Sequence, residues 1–215
     1  VVVGDRARSR FISLGAPEEK IFVGGDLRLN HTDLYKNKIN KKLFIKNVLV
    51  SCPIEPIDSL ELICKSIELF RDLGCNILIN FHPSSDANSS RKMIKRTLKR
   101  FGQDKIKFTN KLAIDLFEKI DLLAYSSTGV VFEALQHGIP CICIEPLHRL
   151  NLCKFDPQSN LKNHRVSDIK NTVDTLHNNG KIFDAALRGD MSIMSEFITP
   201  PNKQLWLKLI KDCMD

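Results

Sequence analysis

The chain has 215 residues, 43% of them hydrophobic, and a formal net charge of +7, enough for one large domain or for one domain with an attached segment. No apolar run reaches membrane-spanning length, and nothing at the amino end reads as a secretory signal, because Val1-Val-Val3 runs at once into Gly4, Asp5 and Arg6. Seven cysteines, odd in number and without C-x-x-C spacing, fit reduced structural thiols of a cytoplasmic protein and not a disulfide or metal framework.

Val1-Val-Val3 reads as the end of a strand. A helical piece from Arg6 to Leu14 follows, closed by Gly15-Ala-Pro17, and Lys20-Ile-Phe-Val23 reads as a second short strand. A chain that opens in mid-strand is expected to be part of a larger protein. Residues 30–46 are rich in Asn and Lys without clear period, so they read as a linker or exposed loop. The expected division is 1–46 as the end of an amino-terminal domain with its linker, and 47–215 as a Rossmann-like domain with carboxyl-terminal helices.

From Asn47 the strands and helices alternate. Asn47–Val50 is a strand, and Ser51–Pro56 is its exit loop. Asp58 and Glu61 have capping-box spacing, with Leu60, Ile63, Ile67 and Phe70 as the buried stripe and Gly74 as the stop. Asn76–Phe81 is the second strand and delivers His82-Pro83 at its carboxyl end. Next comes Arg91-Lys-Met-Ile-Lys-Arg-Thr-Leu-Lys-Arg100, the densest basic run, whose apolar positions have helical period. Few aromatics interleave the basic residues, so nucleic acid is not expected as a partner. The run reads as a solvated face, with peripheral contact on an anionic membrane as the alternative.

A third strand lies around Lys105–Phe108, and a short helix spans Leu112–Lys119. Ile120–Ala124 and Cys141–Ile144 then flank Tyr125-Ser-Ser-Thr-Gly-Val-Val-Phe-Glu-Ala-Leu-Gln-His-Gly-Ile-Pro140. In that stretch Ser126, Ser127 and Thr128 supply cap-type hydroxyls, and Gly138-Ile-Pro140 ends a helix. Later residues read as helical over Val166–Asn178, Met191–Phe197 and Lys203–Lys211. The alternation predicts a doubly wound parallel sheet with helices on both faces.

Ligands of such sheets bind outside the carboxyl ends of the strands. There His82 can donate to a phosphate, the Ser126–Thr128 hydroxyls and the helix amino end can bind one, and Gly129 lets it approach. Glu133 lies seven residues after Ser126. If Ser126 begins the helix, Glu133 shares its ligand-facing stripe and can accept two ribose hydroxyls. The bland alternatives are a histidine bonded within its own turn, ordinary capping and a solvated glutamate. G-x-G-x-x-G, the P-loop and G-x-S-x-G are absent, and His137, His148, His164 and His177 lack metal-ligand spacing. Asp5, Arg28 and Glu55 stand in neighbouring segments, but spacing alone does not bring them to a ligand.

The segment from Asn47 to Pro146, with Ser126-Ser-Thr-Gly-Val-Val-Phe-Glu at its heart, resembles the donor-nucleotide half of glycosyltransferases of the two-domain GT-B architecture. The pairing of His82-Pro83 with Ser126-Ser127 is similar to bacterial sialyltransferases, Kdo transferases and teichoic-acid glycerophosphotransferases. Arg10–Asp26 resembles the last helix and strand of the amino-terminal domain in that architecture. The resemblance implies that His82, Ser126, Ser127, Thr128 and Gly129 hold the donor phosphate, that Glu133 holds the ribose, and that His82 assists catalysis. It implies a CMP-, CDP- or UDP-linked sugar as donor, a surface polysaccharide or lipid-linked glycan as acceptor, and no metal. Retaining members often carry an acid seven or eight positions before Glu133, where this chain has Tyr125 and Ser126, so inversion is expected. The acceptor contacts and catalytic base would belong to the largely missing amino-terminal domain. A non-hydrolysing nucleotide-sugar 2-epimerase and a non-catalytic sugar-nucleotide-binding module are the competing readings.

Overall fold

In a computed structural model of the chain, residues 1–27, 45–85, 105–144, 146–147 and 178–214 are described, with single positions at 92, 94, 95, 98, 171, 173 and 174. By compactness the chain forms two units, one of Val1–Lys38 with Met191–Asp215 and one of Ile39–Asp190.

The larger unit is built on five parallel strands: β1 (Asn47–Ser51), β2 (Asn76–Asn80), β3 (Ile106–Thr109), β4 (Leu122–Tyr125) and β5 (Cys141–Cys143), in the order β3-β2-β1-β4-β5. Val, Ile and Leu fill the central strands, as a sheet covered on both faces requires, and Val48, Leu49 and Val50 are fully buried. Period-two alternation divides them. Val48, Val50, Ile77, Ile79, Leu122, Ala124 and Ile142 share one core with Leu62, Ile63, Ile67 and Phe70 of helix α2 (Pro56–Arg71), while Leu49 and Leu123 lie on the other face. Ile94 and Leu98 of the basic run join that core and Lys92 and Lys95 are exposed, as an amphipathic helix demands; the rest of the run lies outside the described residues, as does most of 166–178.

The strands sit within two residues of their expected bounds, but the helix starts differ from the reading. Helix α2 begins at Pro56, with Glu55 at the N-cap and no side-chain cap. Proline needs no hydrogen bond in a first turn and its fixed φ starts the helix unaided. Asp58 is therefore not a cap: it is buried, and Glu61 pairs with Lys65 instead of closing a capping box. Leu60 is half-buried, while Asp58, Ser59, Lys65 and Ser66 join the buried side. The helix between β4 and β5, here α3 (Val130–Gln136), starts four residues after Ser126. The expected short helix before β4 is a 3₁₀ turn over Ala113–Lys119.

In the smaller unit, helix α1 (Asp5–Ser13) joins Val2 and Val23, which meet in one isolated parallel bridge and not in paired strands. The end of helix α4 (Gly180–Phe197) and helix α5 (Lys203–Asp212) belong to this unit: Thr199 N donates to Val3 O at 2.9 Å, Asp26 N to Thr199 O at 3.0 Å, and Trp206 Nε1 to Gly24 O at 2.8 Å. These hydrogen bonds draw the last segment to the amino-terminal one, whereas the expected division places it with 47–215.

Candidate functional site

The order of the strands reverses at β1. The chain steps outward through β2 and β3, then crosses to the other side of β1 as β4, so the carboxyl ends of β1 and β4 bound the switch point. Ser51 is in register with both Asn80 and Tyr125. The His82 and Ser126 exits therefore leave the sheet at one level on either side of β1, two strand spacings or about 10 Å apart.

His82 is half-exposed and closes its own turn. Its Nδ1 accepts from Ser84 N at 3.1 Å, and its carbonyl accepts from Ser85 N at 2.9 Å and Ser85 Oγ at 2.7 Å. The bland reading of a locally bonded histidine is thus met. The bond also has a chemical consequence: with Nδ1 accepting, the ring proton sits on Nε2, which becomes the donor.

On the other side, Ser126 is 5% exposed and its Oγ has no hydrogen-bond partner among the described residues. Ser127, Thr128, Gly129 and Glu133 are half-buried. Thr128 Oγ1 accepts from Val130 N at 3.3 Å, so one of the three hydroxyls caps the helix and Ser126 does not begin it. Glu133 accordingly lies in the first turn of α3, directly above the turn residues, and not two turns on. Gly129 has φ −75° and ψ −17°, a conformation open to any residue, so its backbone does not demand glycine. Gly138 does: at φ 69° it takes the left-handed stop expected of it. Below it, His137 N and Nδ1 lie 3.2 and 2.8 Å from Glu133 O, and its ring packs on Phe117 at 4.9 Å.

Of the residues set aside, Glu55 is exposed at the start of α2, Asp5 begins α1 in the other unit, and Arg28 lies outside the described residues. Two features of this edge escaped the sequence reading. Asn80 is buried with its Oδ1 unpartnered among the described residues, two positions before His82 and on the same side of the strand. Ile54 and Ile57 are 50% and 69% exposed beside the β1 exit, and Leu112 is 62% exposed after β3. An isolated apolar residue in a loop or at a helix start gives no periodic signal, so pattern alone could not single them out.

Among the described residues no three His, Cys, Asp or Glu side chains stand together as a metal-ligand set, and no helix is long and apolar enough to cross a membrane. An open groove of about 690 Å³ lies in the smaller unit between Arg8, Glu18, Phe22 and Leu205, and no expected site residue lines it.

No protein-family model and no curated protein sequence matches the chain. Solved structures do. The Staphylococcus aureus MnaA–UDP co-structure superposes with a TM-score of 0.65 over 98% of this chain and 58% of its own, at 14% identity. UDP-GlcNAc 2-epimerase from Neisseria meningitidis bound to UDP-GlcNAc gives 0.62 over 97% and 60%, at 15% identity. TarM gives 0.59 over 98% and 42%, at 14% identity. The chain thus spans less than two thirds of these proteins. Five parallel strands with this order and these neighbours give it the Rossmann-like fold of one half of the GT-B architecture.

Proposed function

We propose that the chain is the donor-binding half of a glycosyltransferase that moves a sugar from a nucleotide to a surface polysaccharide or glycolipid acceptor. The observation that carries this reading is the placement of His82 and the Ser126–Gly129 turn at one level on either side of the switch-point strand. A diphosphate lying across the end of β1 would meet the His82 Nε2–H from one side and the Ser127 and Thr128 hydroxyls with the turn's backbone from the other. Glu133, one helical turn above, would accept the ribose hydroxyls. Because α3 has only seven residues, the fixed donors of the two loops are given more of the work than its dipole.

Catalysis here would be leaving-group stabilisation: preorganised donors aimed at the charge that develops on the diphosphate as the glycosidic bond breaks, without a metal. His82 donates through Nε2 in this arrangement, because its Nδ1 accepts from Ser84 N. UDP is the favoured nucleotide among the three expected, since solved proteins of this fold hold UDP or UDP-GlcNAc. The acceptor and catalytic base would come from the rest of a larger protein, and the cytoplasmic face of a membrane is the proposed place of work.

A second reading, the nucleotide-sugar 2-epimerase, is favoured by the Neisseria meningitidis structure. Incubating the intact parent protein with UDP-GlcNAc separates the two. Release of UDP that depends on an added glycan acceptor supports transfer, whereas appearance of UDP-ManNAc without acceptor supports epimerisation. Nucleotide binding without either product leaves the non-catalytic module.

A further inference from the structure

Helix α2 carries Asp58, Glu61 and Lys65 along its inward side, at spacings that share one helical face. Lys65 is only 9% exposed, which for a lysine demands a partner. Its Nζ lies 2.5 Å from Glu61 Oε1, and the same oxygen accepts from Leu147 N at 2.7 Å. One carboxylate oxygen thus holds both the buried ammonium and the chain just beyond β5. Next to this pair lies a cavity of about 10 Å³ lined by Asp58, Glu61, Leu62, Lys65, Ser126, Ile144 and Pro146. Ser126 is where the donor turn leaves β4, and its buried Oγ has no partner among the described residues.

We propose that this cavity is a site for one water molecule that joins Ser126 to Lys65, and that Lys65 is thereby a positioning residue for the donor turn. The volume is that of a single water, and the site has the polar partners such a water needs. An ammonium is a donor and Ser126 Oγ can accept, so a water in this cavity would accept from Lys65 and donate to Ser126 Oγ. That relieves the cost of a buried hydroxyl without a partner. Leu62, Ile144 and Pro146 close the remaining sides. A displacement of Ser126 carries Ser127, Thr128 and Gly129 with it, so the charge buried beneath the turn sets the geometry above it. Lys65 touches no ligand in this account; it acts through Ser126. The role rests on the reading of the turn as a donor site.

The test uses the full chain with Lys65→Met, Ser126→Ala and the double variant, followed by urea unfolding and by calorimetric titration with UDP. Ser127→Ala serves as the donor-site control. The two single changes are expected to be non-additive in unfolding, because both dismantle one water site. Each is also expected to weaken UDP binding about tenfold under conditions where the variant is fully folded, while Lys65→Arg keeps most of the affinity. Additive unfolding effects would overturn the proposal, and so would UDP affinity within about twofold of the parent in folded Lys65→Met. Should Lys65→Met fail to fold, Lys65→Gln takes its place in the same cycle. If the parent chain and Ser127→Ala alike bind no UDP, the donor reading fails and the positioning role falls with it. The unfolding cycle then still decides whether the water link exists.

Discussion

The two edges of the parallel sheet are built to different standards. At the amino edge the polar groups are tied together: Asp121 Oδ2 accepts from Lys46 N at 3.0 Å and Asn47 N at 2.9 Å, and Asn76 Nδ2 donates to Asn47 Oδ1 at 2.9 Å. At the carboxyl edge Asn80 Oδ1 and Ser126 Oγ are buried without a partner among the described residues, and Ile54, Ile57 and Leu112 stand out into solvent. One edge is finished for stability, and the other holds unused hydrogen-bonding capacity beside exposed apolar surface. Buried polar groups left unsatisfied are rare and concentrate where a structure has work to do. The same strands therefore give opposite expectations at their two ends, and substitution can separate them.

The largest effect of a single substitution is expected at the amino edge. Asp121→Ala removes a buried carboxylate that gathers the starts of β1 and β4, and should cost about 3 kcal/mol in urea unfolding. Nucleotide affinity of the surviving folded fraction should not change. A stability loss under 1 kcal/mol, or a large affinity loss, would blur the contrast between the edges.

Next comes alkaline pH, which probes the core between them. Burial pushes the Cys52 thiol up to about 12 and Cys75 to about 11 from an ordinary 9.0, and raises Cys141 as well. Between these values the unfolded chain loses protons that the folded chain keeps, so unfolding gains with rising pH. Stability should be level below pH 9 with respect to these thiols and fall above it, by up to about 1.4 kcal/mol per pH unit for each thiol. Cys213, which is exposed, should be alkylated in the native protein while Cys52 and Cys75 stay protected.

The smallest stability effect, and the sharpest contrast, is expected at the carboxyl edge. Asn80→Val removes an unpartnered buried oxygen, suits a strand, and should stabilise the chain by about 1 kcal/mol. It should also weaken nucleotide binding if the edge is the binding edge. Destabilisation by more than 1 kcal/mol would show that Asn80 is already satisfied, and the two edges would then not differ in kind.

Much of this was legible in the sequence because it depends on local or periodic signals. Strand positions follow from β-branched runs, and the Gly138 stop from the need for a left-handed residue before Pro140. The pairing of His82 with the Ser126 turn came from the family resemblance, and that one strand separates them is set by the strand order, which alternation alone does not give. What escaped was decided by tertiary packing. Asp58 and Glu61 have capping-box spacing, yet Pro56 starts the helix earlier, Glu61 pairs with Lys65 one turn on and with Leu147 N, and both acids line the cavity beside Ser126 and Ile144. Three successive hydroxyls look alike in sequence, but the strand's pleat turns Ser126 inward, Thr128 caps α3 and Ser127 stays half-exposed. No spacing rule tells which hydroxyl of a triplet is buried, which bonds the helix start and which stays half-exposed. The return of the final helices to Val3, Gly24 and Asp26 rests on backbone bonds between residues more than 170 positions apart, of which Thr199 N to Val3 O is one, and it leaves no trace in either segment alone.

The central claim, that the carboxyl edge is a nucleotide-sugar donor site, is most directly tested by calorimetric titration of the purified chain with UDP, CDP and CMP beside His82→Ala and Glu133→Ala. The account predicts saturable binding of one nucleotide, UDP first, weakened about tenfold in each variant as a phosphate donor or a ribose acceptor is lost. A folded chain that binds none of the three, or binds one equally well in both variants, would contradict it.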